Sequence, residues 1–471
     1  MSESAQYPDA IEVFLDLIEN TRYEDFPPAV VEAAKVFLLD TLGVALAGKL
    51  APNMAEMVDL AKNWDGNPSA GVPIWNMNTR ASQPLAAMVN GFQCHALEYD
   101  CVYEPGVILP TPPIMAAMHA KVVELTAAGR APSGQQLIRA FVVALEVSCT
   151  MAAASTSGMF FFRPTTTGVF SALAALCCLD PLPREQLRYA FGIGYSQMCG
   201  TMQAHDEGSM MLAMQMGFAA RNAVLAHGMA RVGVTGPVEV LQGRFGFYHN
   251  FERENDLARE LPLIGNPWKV TQLSHKPFPS GRVTHGIIHT MRQIRTELDL
   301  SPDEVEGAFK SIRAELPPLG FRLTGRPTIT NPPPNYARLC IPFVAAAELL
   351  TGRVDPTTFR PEVLNDPAIE ALARRIETVE VDHPDPNAFY PQRLILEYSN
   401  GKSEIRDIPY AWGHPEMPLD AEARAAKFEL CWQLTRDDSA AERLQMQEVI
   451  EWVRSLEQQS DCNTFLDLLS A

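Results

Sequence analysis

Four basic or titratable side chains in this sequence could together bind and transform a small carboxylate. Arg163 and Arg282 each carry a guanidinium, which can donate two parallel hydrogen bonds to one carboxylate. Lys276 could stabilise negative charge or, if burial favours its neutral form, act as a base. His285 could exchange a proton near neutral pH. Side chains of these types could hold a carboxylate and exchange a proton with the molecule that carries it.

Proton abstraction from such a carbon makes demands that two further residues could help to meet. The enediolate that develops is dianionic, so a base must be joined by cations or hydrogen-bond donors that face the charge. Asp100 and Tyr103 could orient the substrate or transfer protons. Structural roles stay open for the same residues: Asp100 as a turn cap, Tyr103 as an interface aromatic and His285 as a core histidine.

The common short motifs for nucleotides and metals are incomplete or absent. The stretch Gly192–Gly194 lies inside a helical pattern and follows no strand, which favours close helix packing over a nucleotide loop. In His205–Glu207 adjacent side chains would point in different directions from a helix, so a solvated or capping segment is favoured over a metal site. Catalysis must then come from side chains that the fold brings together.

Composition predicts a globular protein with an acidic surface. Of 471 residues, 47% are hydrophobic and 20% are charged, which is typical of soluble folded chains. The formal net charge of −18 repels phosphate backbones and argues against nucleic acid as a partner. The same charge repels free carboxylates, so a carboxylate site needs local positive charge.

Cysteine usage and apolar runs predict a cytoplasmic protein without a membrane span. The nine cysteines include no CxxC pair, which favours reduced thiols over a disulfide framework. The start Met1–Ser4 is polar and lacks the apolar region of a signal peptide. Apolar runs such as Val169–Leu179 are too short to cross a bilayer.

Apolar periodicity predicts a large helical domain at residues 1–264, joined by 412–471. Many of its helices are apolar nearly all round, which indicates burial on most sides and a large interface, as in a dimer. The predicted helices are Ile11–Ile18, Pro28–Leu46, Pro84–Leu97, Ile114–Thr126, Ser133–Thr150, Thr167–Leu179, Glu185–Cys199, Leu419–Leu434 and Ala440–Leu456.

Residues 265–411 are predicted to form a smaller α+β domain. Period-two alternation and the turn pair Asn400-Gly401 indicate a hairpin over Leu394–Ile408. The other predicted strands are Lys269–Ser274, Val305–Leu316 and Ile376–Asp382, and the predicted helices are Gly281–Glu297, Tyr336–Thr351 and Pro367–Arg375. The fold class is therefore mainly α, with a large all-helical domain and a smaller α+β lid.

Several blocks, in the right order and over most of the chain, resemble the MmgE/PrpD family of 2-methylcitrate dehydratases. Each block is weak alone, but the ordered set is specific. The blocks are Leu38–Val44 with Ala47-Gly48, Val89–Gly91, His95–Asp100, Arg163–Phe170, Gly217–Asn222, Gly233–Pro237, Gly243–Phe247, Lys276–Arg282 with His285, and Pro342–Ala346.

The resemblance implies a homodimer whose active site lies between the two domains and uses no metal or organic cofactor. Family members dehydrate methylcitrate, decarboxylate cis-aconitate or epimerise iminodisuccinate. The predicted catalytic residues are Asp100, Tyr103, Lys276 and His285, and the predicted substrate-binding residues are Arg163, Arg282, Thr165 and Tyr336; of these, Tyr103 and Tyr336 lie outside the resembling blocks. Arg338 could help Tyr336 to close the cleft, whereas His95 is interpreted as structural.

Three positions depart from the family pattern and keep two functions open. Leu109, Arg163 and Leu212 stand where the family often has His, His and Lys. The first hypothesis is a lyase or isomerase that acts on a small carboxylate, with some weight on epimerisation because it needs no leaving-group acid. The second is a family member that has lost this chemistry and binds a more apolar ligand or a protein, with the methionines of Ser209–Met216 as an adaptable wall.

Overall fold

Of the helices that the structure describes in the first 264 residues, seven form where the apolar periodicity predicts them, whereas five were not predicted: Met54–Asp65, Gln203–Asp206, Met211–Arg231, Phe247–Asn250 and Leu257–Glu260. The computed structural model of the protein describes residues 10–66, 71–299 and 301–462, so Met1–Ser4 lie outside the described residues. The helices are α1 (Ala10–Asn20), α2 (Pro28–Ala47), α3 (Met54–Asp65), α4 (Gln83–His95), α5 (Thr111–Ala127), α6 (Gly134–Ala153), α7 (Arg163–Leu179), α8 (Arg184–Ser196), α9 (Gln203–Asp206), α10 (Met211–Arg231), α11 (Phe247–Asn250) and α12 (Leu257–Glu260).

Glycines allow α4 and α10 to touch backbone to backbone. A Cβ atom at Gly217 would lie 2.1 Å from the carbonyl oxygen of Met88, and one at Gly91 would lie 2.9 Å from the Cα atom of Gly217. Any larger residue would force the helices apart. This contact positions the end of α4 at His95, where the polar part of the candidate site begins.

A short hairpin interrupts the helical residues, so the prediction of an all-helical first domain was wrong in this detail. Strand β1 (Val72–Ile74) pairs antiparallel with β2 (Thr79–Ala81). Asn76 and Asn78 between them adopt positive φ angles, a conformation that asparagine tolerates better than most residues. The strands are three residues long, too short for the alternation that reveals strands in a sequence.

Helix α6 is long and apolar enough to cross a bilayer, contrary to the prediction that the apolar runs are too short. However, 89% of its most apolar window is buried inside the protein. Its Glu146 carboxylate is also buried and accepts backbone hydrogen bonds from Gly265 and Lys269 at 2.9 and 2.8 Å. The helix therefore has the packing of a core helix. The cytoplasmic location stays a prediction.

The later residues combine one sheet with helices. The sheet has the order β4-β3-β5-β6, in which β3 (Phe309–Leu316) is parallel to β4 (Ile376–Glu380) and antiparallel to β5 (Gln392–Tyr398), and β5 pairs antiparallel with β6 (Ser403–Ile408). The Asn400-Gly401 turn is confirmed. The helices are α13 (Thr284–Glu297), α14 (Pro302–Ala308), α15 (Pro318–Thr324), α16 (Pro334–Ala337), α17 (Ile341–Thr351), α18 (Pro361–Leu364) and α19 (Pro367–Ala373).

One strand prediction was wrong, and another placed the start of its strand too early. Lys269–Ser274 contains a 3-10 helix, Lys269–Gln272, because Glu146 holds the backbone N–H of Lys269. Val305–Leu316 begins in α14, because Ser301 starts a helix there and the Glu304 side chain accepts the Ser301 backbone N–H. The strand itself begins only at Phe309.

Two apolar cores lie side by side. One contains the early helices together with Phe428, Trp432 and Val449 from α20 (Ala421–Gln433) and α21 (Ala440–Arg454), so the final helices pack back as predicted. The other contains the sheet, α13 and α17, and it also includes Val102, Val107 and Met159 from the early residues. The candidate site lies along this shared boundary. The domain limits 264/265 and 411/412 stay a prediction.

Candidate active site

A cavity of about 70 Å³ lies where the two cores meet. Its polar wall comes from Glu98 and His205 of the early residues and from Lys276 and Arg282, which precede α13. The rest of the wall is mostly apolar and includes Val102, Val107, Leu109, Met159, Phe162, Leu212, Leu339 and Phe389. A larger hollow of about 490 Å³ lies beside Arg139, but that guanidinium already donates to three backbone carbonyls.

A chain of four alternating charges runs from the protein interior to this cavity. The Asp100 carboxylate lies 2.8 Å from Nδ1 of His95, and Nε2 of His95 lies 3.0 Å from the Glu98 carboxylate. Lys276 Nζ donates to Glu98 Oε2 at 3.0 Å and to the Glu98 carbonyl oxygen at 3.1 Å. Glu98 has a positive φ angle of 53°, which folds the chain back after α4 so that both carboxylates face His95.

The charges in this chain shift one another's protonation. Burial opposes a charged imidazole, but Glu98 and Asp100 outweigh it and raise the pKa of His95 to about 10. Burial likewise opposes the Glu98 carboxylate, yet His95 and Lys276 hold the pKa of Glu98 well below its usual range. At neutral pH, His95 is therefore cationic and Glu98 is anionic.

Arg326 reaches the same cavity through His205. Its Nη2 atom donates to Nδ1 of His205 at 3.1 Å and also to the His205 carbonyl oxygen. Burial first, and then the Arg326 charge, lower the pKa of His205 to about 4, so its imidazole is neutral and can accept this bond. Among the described residues, Arg326 has no carboxylate partner, and its buried Nη1 atom has no hydrogen bond.

Arg338 is a second buried guanidinium without a carboxylate in the part of the chain that the structure describes. It is 3% exposed, stacks on the Phe359 ring at 4.5 Å and makes one long bond of 3.4 Å to Asn335 Oδ1. Its Nε atom has no partner among the described residues. Burial lowers the pKa of Arg338 to about 10, while Glu98 opposes the shift and is thus within electrostatic reach.

Comparison with known proteins assigns the chain to a family. The MmgE/PrpD N-terminal domain model matches residues 12–260, and the MmgE/PrpD C-terminal domain model matches residues 278–452. The chain belongs to the MmgE/PrpD family. Its membership bears out the recognition made from the ordered sequence blocks, and it confirms the prediction of an enzyme of the lyase type.

Individual relatives of the MmgE/PrpD chain are distant but extend over nearly its whole length. The cis-aconitate decarboxylase of Mus musculus is 24% identical, over 97% of this chain and 93% of its own. The Homo sapiens protein of the same name is 25% identical over 97% and 94%, and that of Aspergillus terreus is 22% identical over 96% and 94%.

Three of the predicted site residues lie at or next to the cavity of this MmgE/PrpD protein. Lys276 and Arg282 line it, and Asp100 is joined to it through His95. The Arg282 guanidinium, however, is already occupied: Nε donates to Glu104 at 2.7 Å, and the other nitrogens bond to backbone carbonyls, including those of His275 and Trp412. These bonds tie the two cores together at the edge of the site.

Arg163 and Thr165 are buried at the start of α7 but do not line the cavity, although their neighbours Phe162 and Pro164 do. The Arg163 guanidinium makes a two-point ion pair with Glu252 at 2.8 and 2.9 Å and donates to two backbone carbonyls. All of these partners are internal. Thr165 bonds to the sulfur of Met216 at 3.5 Å. Their substrate-binding roles stay predictions.

Tyr103, His285 and Tyr336 are also absent from the cavity wall. Tyr103 is packed in the helical core, where burial raises the pKa of its phenol. His285 faces the Ser280 carbonyl oxygen at 3.1 Å, and burial, followed by the charges of Arg282 and Lys276, holds its pKa well below the usual range. The Tyr336 hydroxyl donates to the Pro327 carbonyl, while its ring lies under Arg326 at 5.1 Å.

The structure adds four polar residues that the sequence analysis left without a catalytic role: His95, Glu98, His205 and Arg326. The spacing of His95, Glu98 and Asp100 was visible within the family block, and it could have suggested a shared charge network. His205 was interpreted as solvated or capping, but it is buried and lines the cavity. The sequence around Arg326 contained no pattern that predicts a role in the site, because its contact with His205 joins residues 121 positions apart.

The described residues include no group of three or more His, Cys, Asp or Glu placed to hold a metal ion. Asp206 and Glu207 are exposed, whereas His205 turns inward to Arg326. Of the titratable groups at the cavity, Lys276 and Arg282 are cations, Glu98 is a carboxylate and His205 is neutral; the cations are suited to binding an organic anion.

Proposed function

We propose that this protein is a cofactor-independent carboxy-lyase for a small molecule with two or more carboxylates, and that cis-aconitate is the first substrate to test. The observation that carries the proposal is the pair of buried guanidiniums, Arg326 and Arg338, without carboxylate partners among the described residues. Similarity to cis-aconitate decarboxylases along the whole chain supports the same reaction class.

Charge balance favours a dianion or trianion over a neutral ligand. His95 and Lys276 offset Glu98 and Asp100 within the alternating chain. The two arginines remain uncompensated, and a buried unpaired charge is costly. A polycarboxylate would supply the missing negative charge and could accept two hydrogen bonds from each guanidinium.

The reaction requires a proton donor and a cation near the reacting carbon. In decarboxylation, the bond to the leaving carboxylate breaks as CO₂ departs, and its electron pair stays on the organic fragment as a carbanion that a proton then quenches. In this proposal Lys276, which lines the cavity, stabilises this charge or supplies that proton. An ammonium has three N–H donors, and Glu98 takes two of them. These two hydrogen bonds would hold the ammonium in position beside the substrate.

The small volume of the cavity favours a movable lid, because substrate needs a way in. A cavity of about 70 Å³ holds only a handful of water molecules, well below the usual size of ligand sites. Because residues of both cores line it, a small separation of the α+β residues from the helices would admit substrate. We propose that residues 265–411 act as this lid and that the described arrangement is a closed one.

The reaction assay separates decarboxylation from its family alternatives. Purified protein is incubated with cis-aconitate in deuterated buffer and followed by NMR. Loss of one carboxylate with deuterium on carbon is expected. Hydration of the double bond would indicate a hydro-lyase instead, and deuterium exchange in other hydroxy or imino dicarboxylates without a net reaction would indicate an epimerase. No turnover and no exchange with any of these acids would contradict the proposal.

The two-arginine site is tested with a matched pair of variants. Arg338→Gln keeps a polar side chain but removes the charge, and we expect KM to rise by at least about tenfold, corresponding to roughly 1.4 kcal/mol of binding. Arg313→Gln removes an exposed guanidinium on the sheet and should leave KM unchanged. Equal KM values for the two variants would remove Arg338 from the site.

A second candidate function rests on the apolar part of the wall. Leu109 and Leu212 line the cavity together with Met159, Phe162 and Leu339. A protein that had lost the lyase chemistry could bind a more apolar ligand or a partner there. In that case Lys276→Ala would leave ligand binding intact, while a bulky change at Leu212 would abolish it. Loss of binding in Lys276→Ala would exclude this candidate.

Homodimer formation is part of the proposal and has a candidate surface near the end of α10. Val232 and Phe245 are 78% and 69% exposed, and Val234 and Val238 are also exposed. Exposed apolar side chains of this kind favour contact with another protein surface. Light scattering of the purified protein would give a mass twice that of the 51.9 kDa chain, whereas a monomer would contradict the proposal.

A further inference from the structure

A second hollow, of about 240 Å³, is lined by His275, the residue directly before Lys276. Its walls are formed by one face each of α2, α20 and α21, all of which belong to the helical core. No residue of the candidate active site lines it. The two hollows therefore share only the short segment that contains His275 and Lys276.

Two buried polar atoms in the wall of this second hollow lack hydrogen-bond partners among the described residues: Asp40 Oδ2 and Nε2 of His275. The other Asp40 oxygen pairs with Lys427 at 2.7 Å. The His275 ring stacks on Phe37 at 4.4 Å, and burial lowers its pKa to about 4, so the ring is neutral. Buried polar atoms are rarely left unbonded, since each costs about 1–3 kcal/mol.

Two cations occupy the same wall. Arg424 donates to the Leu419 carbonyl at 2.6 Å, and neither Arg424 nor Arg454 has a carboxylate within 4.0 Å in the part of the chain that the structure describes. Lys35, by contrast, is held by Glu32 and Glu457 at 2.6 and 3.1 Å. Asp40 and His275 thus present polar atoms without hydrogen-bond partners among the described residues. Arg424 and Arg454 present guanidiniums without carboxylate partners among the same residues.

We propose that this hollow is a second ligand site, for a small carboxylate that also carries a hydroxyl or ammonium donor. The donor would bond to Asp40 Oδ2, with His275 Nε2 as a further partner, and the carboxylate would pair with Arg424 and Arg454. The volume is slightly below the usual range for ligand sites, which restricts the ligand to a molecule of a few carbon atoms.

Ligand binding in this second hollow would change the position of Lys276. The His275 backbone N–H donates to Gly413 at 2.9 Å, and its carbonyl oxygen accepts from Arg282 at 3.0 Å. The backbone is confined here, because a Cβ atom on Gly413 would lie 2.3 Å from the His275 oxygen. We expect a shift of the His275 ring to move Lys276, the next residue, and to alter its contact with Glu98. The ligand would act as an effector, a consequence that rests on the proposed function.

Calorimetry with three four-carbon acids tests the site directly. L-malate carries a hydroxyl, L-aspartate carries an ammonium, and succinate carries neither. The titrations use the Arg338→Gln protein, in which binding at the active site is weakened. We expect malate or aspartate to bind at least about tenfold more tightly than succinate, equivalent to roughly 1.4 kcal/mol. No binding of any of the three acids at millimolar concentration would overturn the proposal.

A cavity-filling variant locates the binding. Ala425 is an exposed alanine of α20 that lines the hollow, so Ala425→Trp fills it without disturbing a core. Ala426 is also exposed on α20 but does not line the hollow, and Ala426→Trp is the control. Binding should be lost in the first variant and retained in the second. Equal binding by both variants would place the ligand elsewhere and refute the site.

The effector role is measured separately. Saturating malate or aspartate should change kcat in the otherwise unaltered protein but not in Ala425→Trp. An unchanged kcat, with binding confirmed by calorimetry, would refute the coupling to Lys276. Because calorimetry needs no turnover, the binding test of the second site gives its result even if the lyase assay fails.

Discussion

Lys276 Nζ lies 3.0 Å from the Glu98 carboxylate, and this contact joins the α+β residues to the charge chain at the end of α4. Glu98 is held on its other side by His95, which in turn faces Asp100. Of these four charged groups, the Lys276 ammonium is therefore the one that faces the cavity with a spare hydrogen-bond donor.

Removing the Lys276 ammonium should reduce turnover while leaving the protein folded. Lys276→Met keeps the aliphatic stem and removes the ammonium, while Glu98 keeps His95 as its charged partner, and we expect kcat to fall by about 10²–10³. Lys310→Met, on a side chain that is 76% exposed, is the control and should keep full activity. A kcat within a few-fold of the starting protein would assign Lys276 to structure alone.

His95 should make stability depend on pH in the alkaline range. Its pKa is raised from 6.5 to about 10 because Glu98 and Asp100 outweigh the effect of burial. A raised pKa in the folded state contributes stability that is complete below about pH 6.5 and is lost as the pH rises through about 10. Urea unfolding measured across this window should show the decline.

The matched variant isolates the histidine from other groups that titrate in the same range. His95→Gln cannot become charged, so the difference in unfolding free energy between it and the original protein should shrink as the pH rises from 6.5 to about 10. A difference that stays constant over this window would show that His95 is not the titrating group.

Arg163 is expected to serve stability through Glu252, which is 2% exposed. Arg163→Met leaves that carboxylate buried and unpaired, which should lower the free energy of unfolding by about 3–5 kcal/mol. The double variant Arg163→Met, Glu252→Leu should recover much of the loss, because neither charge remains. Chemical denaturation measures both. An unchanged stability with a large rise in KM would instead support the substrate-binding role predicted from the sequence.

The contact between α4 and α10 should tolerate no side chain at Gly217. Gly217→Ala places a Cβ atom 2.1 Å from the Met88 oxygen, and the overpacking should destabilise the protein by at least about 1–3 kcal/mol. Gly228 lies on the same helix, and a Cβ atom added there would meet no described atom within 4 Å, so Gly228→Ala should stabilise by roughly 0.5–1 kcal/mol. Thermal unfolding compares the two; equal effects would contradict the close packing.

Local patterns were enough to predict most elements of this fold. Apolar periodicity places α2, α6 and α7, and the pair Asn400-Gly401 predicts the hairpin of β5 and β6, because both signals arise between residues close in the chain. The ordered blocks were enough to recognise the MmgE/PrpD family. The strand predicted at Lys269–Ser274 was wrong because the distant Glu146 carboxylate binds the backbone there. The strand Val72–Ile74 was missed because it is only three residues long.

Sequence by itself thus determined the helical character and the family, and it singled out Lys276 and Arg282, which line the cavity. Only the tertiary structure decided that Arg282 and Arg163 are already bound to Glu104 and Glu252 and that Arg326 meets His205. The physical reason is that a side chain's type shows what it can bind, whereas its actual partner depends on long-range packing. Those partners also determine the protonation state of titratable groups in a buried site.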